Sequence, residues 1–234
     1  GCIGDPISIT ILVNPKPDVN SITQTDYKLC SGETLNMHII GEQSGTIYNW
    51  TAISSNVTIV GAGNNGTTTG LLNLQLTTSN PLSQGTIQFQ IIPVRNGCYG
   101  TPFLSDLITV NPLPGNPIGL PHPAICSGES TNINVSENLL IVGTQLKWNV
   151  IASNYVTGFT QTGIGTAPIS INDILFNSTN VQGFVTYRIT SVLGECEGTY
   201  TDITVLVNPL PKPVLTGGHI CVNATTGITY QGYV

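Results

Sequence analysis

One period of about 97 residues organises this chain and constrains its fold more than any other feature. The sequence Val-Asn-Pro-x-Pro occurs three times, and its asparagines Asn14, Asn111 and Asn208 are 97 positions apart (111 − 14 and 208 − 111). Two series of cysteines and both tryptophans follow nearly the same spacing: Cys2, Cys98 and Cys196; Cys30, Cys126 and Cys221; Trp50 and Trp148. Several independent markers that recur at such a period indicate tandem copies of one domain.

The period also predicts where each copy begins and ends. We expect residues 1–16 to be the C-terminal end of a preceding repeat and residues 17–113 and 114–211 to be complete repeats. Residues 212–234 would then begin a following repeat. Since the sequence starts and stops inside repeats, we expect it to be part of a longer array.

Composition and alternation predict that each repeat is an all-β sandwich. Charged residues make up 8% of the chain while hydrophobic residues make up 40% and glycine numbers 26, a balance typical of strands joined by tight turns. Alternating segments predict six or seven short strands per repeat and no amphipathic helix. The order Cys…Trp…Cys is typical of Ig-like sandwiches, so Trp50 and Trp148 are predicted to lie in the core on the third strand. The glycine-rich residues 61–70 and the equivalent residues 158–168 are predicted to be connecting loops.

The recurring Asn-Pro-x-Pro sequence is predicted to form the joint between repeats. Two prolines at alternate positions fix their φ angles and favour an extended polyproline II spacer. Such joints are semi-rigid, so we expect the Ig-like domains to be arranged as an extended rod. The predicted joint residues are Asn14, Pro15 and Pro17; Asn111, Pro112 and Pro114; and Asn208, Pro209 and Pro211.

The periodic cysteines predict disulfides in an oxidising compartment, because neither close ligand pairs nor nearby histidines suggest metal binding. Alternating strand directions place the two cysteines of one repeat at opposite ends of the sandwich. A seven-residue strand spans roughly 23 Å, whereas disulfide Cα atoms lie within about 7 Å. We therefore favour Cys30–Cys196, a staple across the joint. Pairing within repeats, Cys30–Cys98 and Cys126–Cys196, is the alternative and would hold if the predicted strand directions were wrong.

Four short segments carry a resemblance to a known family: Cys30–Thr34, Cys126–Ser130, Asn96-Gly97-Cys98 and Thr109–Pro114. Together they resemble the PKD-like and Ig-like tandem repeats of Bacteroidetes cell-surface adhesins, including gliding-motility adhesins, over essentially the whole chain. The resemblance implies an extracellular location at the cell surface. It also implies export through the type IX secretion system, which many of these proteins use.

No catalytic, cofactor-binding or metal-binding site is predicted, so we expect a protein that is not an enzyme. The six lysines and arginines are scattered in a chain of net charge −6, which argues against nucleic-acid binding. No apolar run approaches the roughly 18 residues of a membrane span. Three groups of polar residues were weighed and assigned to solvated turns or surfaces: the carboxylates Glu195 and Glu197, the calcium candidates Asp18, Asn20, Asn172 and Asp173, and Lys147 beside Trp148.

These observations predict a structural stalk or adhesin segment of a large secreted bacterial surface protein. Such a segment holds a distal domain away from the cell and bears load. Two alternatives stay open. The chain could be an accessory module of a secreted hydrolase, either carbohydrate-binding or a spacer, or a subunit of an extracellular filament. The expected partners are neighbouring repeats of the same chain, with surface polysaccharide or other cell-surface proteins as further candidates.

Overall fold

The chain folds into two compact all-β units, Gly1–Pro112 and Leu113–Val234. The structure, a computed structural model, describes residues 1–24, 26–216, 219, 222–223 and 229–231, and it contains no helix among them. Cys221 lies outside the described residues. Residues 1–20 have no regular secondary structure, and the apolar side chains of the expected final strand of a preceding repeat, such as Ile9 and Ile11, are exposed.

The first unit is built from eleven short strands. They are β1 Ser21–Gln24, β2 Lys28–Cys30, β3 Thr34–Ile40, β4 Ile47–Ser55, β5 Val57–Ile59, β6 Asn65–Thr68, β7 Leu71–Thr78, β8 Gly85–Arg95, β9 Cys98–Tyr99, β10 Phe103–Leu104 and β11 Ile108–Asn111. One sheet has the order β1-β3-β7-β5 and the other β2-β11-β8-β4-β6, with β9 and β10 also paired to β8. A four-stranded sheet and a seven-stranded sheet, the second including the short strands β9 and β10, form the two layers expected of an Ig-like sandwich.

The second unit repeats this plan. Its strands are β12 Pro117–Gly119, β13 Ile125–Cys126, β14 Ile133–Glu137, β15 Gln145–Asn154, β16 Thr162–Thr166, β17 Ile169–Ile171, β18 Gly183–Leu193 and β19 Cys196–Asn208, followed by a separate pair, β20 Val214–Thr216 and β21 Thr229–Gln231. The two sheets have the orders β12-β14-β17 and β13-β19-β18-β15-β16. The predicted fold class, tandem Ig-like β-sandwich domains, is confirmed.

Alternation along each strand builds a separate core in each unit. In β3 every second side chain is buried, so Leu35, Met37 and Ile39 face inward. Trp50 lies in the first core, where its ring meets Phe89 edge to face at a centroid distance of 5.8 Å. The prediction for Trp148 is only partly correct, because its ring packs against the second core but stays partly exposed.

The prediction of loops over residues 61–70 and 158–168 is wrong, because each range contains a strand. β6 and β16 pair with the tryptophan-bearing strands β4 and β15, and the register places Gly66 opposite Trp50 and Gly163 opposite Trp148. A Cβ at Gly66 would lie 2.8 Å from the Trp50 ring, and one at Gly163 would lie 2.1 Å from the Trp148 ring. Each indole therefore lies across a glycine backbone, so the position opposite each tryptophan carries no side chain that would reveal the strand.

This contact makes a prediction about stability. Gly66→Ala should lower the free energy of unfolding by about 1–3 kcal/mol, because the buried Trp50 ring must move to admit a methyl group. Gly63→Ala is the matched control, since nothing lies within 4 Å of a Cβ at that position, and it should change stability by less than about 1 kcal/mol. Chemical denaturation of both variants measures the difference, and equal effects would contradict the packing described.

Candidate functional site

The first cysteine of each unit ends a short strand and begins a tight turn. In the first unit the Glu33 N–H donates to the Cys30 carbonyl over 3.0 Å, with Gly32 at φ +96°. The Glu33 carboxylate in turn accepts the Cys30 N–H at 2.7 Å. The second unit repeats both contacts between Cys126 and Glu129, at 3.1 and 2.8 Å. The Cys-Ser-Gly-Glu sequence thus supplies a glycine for the turn and a carboxylate that holds the cysteine backbone.

This turn is fastened to the joint that follows it. β2 pairs in parallel with β11, and Cys30 lies opposite Asn111. The Ser31 N–H donates to the Asn111 carbonyl at 2.8 Å, and Gln84 donates to the Asn111 side-chain oxygen at 2.7 Å. Asn111 is therefore held through both its main chain and its side chain at the first position of the joint.

The second joint is fastened in the same way. Cys126 lies opposite Asn208 in the parallel pairing of β13 with β19. The Ser127 N–H donates to the Asn208 carbonyl at 2.9 Å, and Gln182 donates to the Asn208 side chain at 2.8 Å. In both units, then, the first cysteine lies beside the asparagine that opens the following joint.

The second cysteine follows a two-residue hairpin turn at the other end of each unit. Asn96 and Gly97, at φ +50° and +78°, form this turn, and Cys98 pairs with Arg95 across it. These angles are those of a type I′ turn, for which Asn-Gly is the preferred sequence. In the second unit the turn begins with Gly194 at φ +60°, and Cys196 pairs with Leu193.

This hairpin lies beside the joint that precedes its unit. In the second unit Thr199 donates to the Asn116 side chain at 2.6 Å, and a Cβ at Gly198 would lie 2.9 Å from the Pro114 ring. Asn116 is also tied by its N–H to the Asn138 side chain at 2.7 Å. Around the first unit, Asn96 contacts Asn14 at 3.4 Å and Lys16 donates to Thr101 at 3.5 Å. Residues 112–116 and 209–213 have no regular secondary structure, so the polyproline II geometry of the joints stays a prediction.

The two cysteines of one unit lie at opposite ends of an 11-residue strand. Gly85, the first residue of β8, pairs with Val110 beside Asn111 and Cys30, whereas its last residue, Arg95, pairs with Cys98. Eleven strand residues span roughly 35 Å, far more than the 7 Å or so that a disulfide allows between Cα atoms. β18, also of 11 residues, separates Cys126 from Cys196 in the same way.

The state of the cysteines agrees with this separation. Cys30 and Cys196 are disulfide-bonded, whereas Cys2, Cys98 and Cys126 are free thiols. Both pairings within a repeat need one of those free thiols. The alternatives Cys30–Cys98 and Cys126–Cys196 are therefore wrong. They cannot form because an 11-residue strand separates the two cysteines of each unit. Cys2, the remaining disulfide candidate among these three, lies in the exposed segment that precedes the first unit.

Charged groups around the bonded Cys196 form ordinary surface pairs. Lys147, on the face away from the core, forms an ion pair with Glu197, and both side chains are about half exposed. Arg188 contacts both carboxylate oxygens of Asp202 at 2.9 Å and lies 3.9 Å from the centre of the Tyr200 ring. The hydrogen bonds from Arg188 lower the pKa of Asp202. Being exposed, these pairs add little to stability.

The calcium candidate Asp173 has a structural role instead. Its carboxylate accepts the Thr160 N–H at 2.8 Å, the Thr160 hydroxyl at 2.7 Å and the Tyr187 hydroxyl at 2.6 Å. Burial and the hydrogen bond to this carboxylate raise the pKa of Tyr187 well above its usual value of 10. Among the described residues, no group of three or more His, Cys, Asp or Glu side chains is placed to hold a metal ion.

The other candidates for chemistry stay apart in the described part of the chain. His38 is exposed on β3, and both ring nitrogens of His122 contact main-chain carbonyls, those of Pro123 and Thr131. A groove of about 710 Å³ lies between residues 120–125 and 129–134, but its one carboxylate, Glu129, already accepts the Cys126 N–H. No helix in the described ranges is long and apolar enough to cross a membrane.

Sequence reasoning found the cysteines and the joint asparagines but missed the residues that hold them. Ser31 and Glu33, with their counterparts Ser127 and Glu129, were visible only as members of a motif. Gln84 and its counterpart Gln182 carried no signal of their own. Their recurrence beside equivalent cysteines and asparagines was the one feature that could have identified them.

Comparisons with known proteins agree with the repeat. The model of a family described as the PKD-like domain matches residues 27–114 and again residues 123–211, which is most of the chain. No curated protein matches.

Among solved structures, the FN1–FN3 domains of chicken CNTN1 align at 10% identity and a TM-score of 0.38, covering 82% of this chain and 68% of that one. The insect immune protein hemolin aligns at 15% identity and 0.35, covering 83% and 47%. Protocadherin gamma B2 extracellular cadherin domains 3–6 align at 12% and 0.32, covering 89% and 54%.

The contact between Tyr187 and Asp173 predicts a pH dependence. Because the folded state holds the tyrosine proton more tightly than the unfolded chain, its stabilising effect is complete below pH 10 or so and is lost as the pH rises further. Tyr187→Phe should cost about 1–3 kcal/mol at neutral pH and should remove this part of the alkaline loss. Urea unfolding of both proteins at neutral and alkaline pH, with free thiols blocked, measures it. Parallel pH profiles would contradict the assignment.

Proposed function

The chain belongs to the PKD-like domain family, and on that basis we propose that its units are successive links of a non-catalytic, load-bearing stalk on a bacterial cell surface. The observation that carries the proposal is the repeated joint. In both units, one cysteine lies beside the joint that follows and the other beside the joint that precedes.

The joint between residues 111 and 116 has such a cysteine on each side. Cys30 lies opposite Asn111, at the end of the first unit. Cys196 lies in the hairpin whose Thr199 holds Asn116, at the start of the second unit. Both cysteines are disulfide-bonded, and we propose that they are bonded to each other, which would add a second covalent link in parallel with the peptide joint.

This link changes the path that tension takes. Force that enters at Cys30 can cross the disulfide to Cys196 and continue along β19 to Asn208, where the next joint begins. β19 is a single extended strand of 13 residues, so it has almost no slack to release. The rest of the second sandwich, with its core, forms a side loop that tension bypasses. A chain linked in this way resists extension even when a domain unfolds.

The compartment follows from the same bond. Structural disulfides persist in oxidising surroundings outside the cytosol, so we propose an extracellular location at the cell surface. The adhesin role, the Bacteroidetes source and export by type IX secretion rest on the resemblance of the Cys-Ser-Gly-Glu and Asn-Pro-Leu-Pro segments, and we include them in the proposal on that ground. The rod-like arrangement rests on the proline joints.

Stretching single molecules by their two ends tests the proposal. About 166 residues lie between Cys30 and Cys196 (196 − 30), and at about 3.4 Å each they should add roughly 560 Å of length only after reduction. The oxidised protein should therefore lack the unfolding events of both units, and the reduced protein or Cys30→Ser should show them.

The double variant C98S/C126S is the matched control, because it removes the free thiols of the two units and leaves Cys30 and Cys196 in place. It should extend like the oxidised parent protein. If the oxidised parent releases the full length of both units, the proposed load path is wrong.

A further inference from the structure

We propose that Cys98 and Cys126 each form a disulfide of the type proposed for Cys30 and Cys196. Each would bond to the complementary cysteine of another PKD-like unit. Cys126 would bind a cysteine of the hairpin type, such as Cys98 or Cys196. Cys98 would bind a cysteine of the Cys-Ser-Gly-Glu type, such as Cys30 or Cys126. The inference rests on the proposed function, because it extends the staple to the outer joints.

The local structure of each free thiol matches that of a bonded one. Cys126 and Cys30 begin the same turn, held by Glu129 and Glu33 at 2.8 and 2.7 Å. Cys98 and Cys196 both follow a two-residue turn, paired with Arg95 and Leu193 respectively. The turns of Cys30 and Cys126 are alike. Cys98 and Cys196 share their place after a two-residue turn, although both turn residues have positive φ in the first unit and only Gly194 does in the second.

Position supplies the second observation. Cys126 lies opposite Asn208, which opens the joint of Asn208, Pro209 and Pro211. Cys98 lies in the hairpin whose Asn96 contacts Asn14, in the joint of Asn14, Pro15 and Pro17. Each free thiol therefore lies beside an outer joint. Cys126 lies before its joint, as Cys30 does at the joint of Asn111, and Cys98 lies after its joint, as Cys196 does.

The third observation is the solvent exposure of the cysteines. Cys196 is fully buried while Cys98 is only partly so, and Cys30 is partly buried while Cys126 is exposed. In both series the free member is the more accessible. An accessible thiol can ionise and attack an oxidant.

The chemistry is a two-electron oxidation. Two thiols lose two protons and two electrons and form one S–S bond, while a small-molecule disulfide such as oxidised glutathione takes them up and leaves as two thiols. The partner can be another repeat of the same polypeptide or a second copy of this chain. Either would present the same turn or hairpin.

Two complementary single variants test the pairing in the full 234-residue chain. Both are made in a C2S/C221S background, so that Cys98 in one and Cys126 in the other is the single thiol left beside the staple. C126S and C98S are incubated in a glutathione redox buffer, separately and mixed. The mixture should yield a covalent heterodimer of about 49 kDa, twice the 24.7 kDa chain, with a Cys98–Cys126 peptide in the non-reducing map. Each variant alone should yield no homodimer.

Glutathionylation of each thiol, followed by mass spectrometry, serves as the control for reactivity. If both thiols react with glutathione yet the mixture gives no heterodimer, or homodimers form equally well, the inference is wrong. If no heterodimer forms, the proposed function is still supported as long as the oxidised protein, when stretched, does not release the length of the residues between Cys30 and Cys196.

Non-reducing peptide mapping of the protein from its natural source separates the two kinds of partner. A peptide of Cys126 joined to that of Cys98 identifies a second copy of this chain. A peptide of Cys126 or Cys98 joined to a different Cys-Ser-Gly-Glu or hairpin cysteine identifies another repeat. Both thiols found free, or bound to cysteines of neither type, would overturn the inference.

Discussion

The parallel pairing of the first cysteine's strand with the last strand of each unit is the interaction on which the rest depends. It brings Cys30 beside Asn111 and Cys126 beside Asn208, although nearly a whole domain of sequence lies between them. Without it the cysteine would be at one end of an unattached segment. With it, a turn formed early in the chain is fixed to the point where the chain leaves the domain, and the joint has a defined starting position.

In each unit, the residues that form the core differ from those that lie at the joints. The core side chains point inward from both sheets, and the cysteines and joint asparagines lie at the two ends, outside the buried clusters. A core of this kind can vary, as the replacement of Phe89 by Tyr187 at the equivalent position illustrates, as long as polar partners such as Asp173 satisfy the new hydroxyl. The linking residues vary less between the two units, because a turn, a carboxylate and an amide must each meet a particular backbone group.

The sequence predicted those parts of the fold whose signal is periodic or apolar. The repeat spacing indicated two sandwiches, and the alternation in β3 and the sequence Ile169-Ser170-Ile171 identified strands directly. β6 and β16 escaped detection because all of their residues except Ile164 are glycine, threonine or asparagine. Gly66 and Gly163 are required by the indoles on the neighbouring strand, a tertiary contact that no local pattern records. Trp148 was assigned to the core from the same Cys…Trp…Cys order as Trp50, yet the two rings differ in how much of their surface is buried. Strand direction, by contrast, follows from counting, and it was enough to separate the cysteines of one repeat.

The position of the two cysteines at opposite ends of each unit also gives an array of such units a direction. Every unit carries one cysteine of each type, at opposite ends, and the two types occupy different local structures: a turn held by a glutamate and a hairpin of two residues. In the proposed array, a bond between unlike types would join the end of one unit to the start of the next, which is a heterologous contact. Heterologous contacts that do not close into a ring give open assemblies, so such an array would be open and polar. Its length is then set by the number of units and not by the interface.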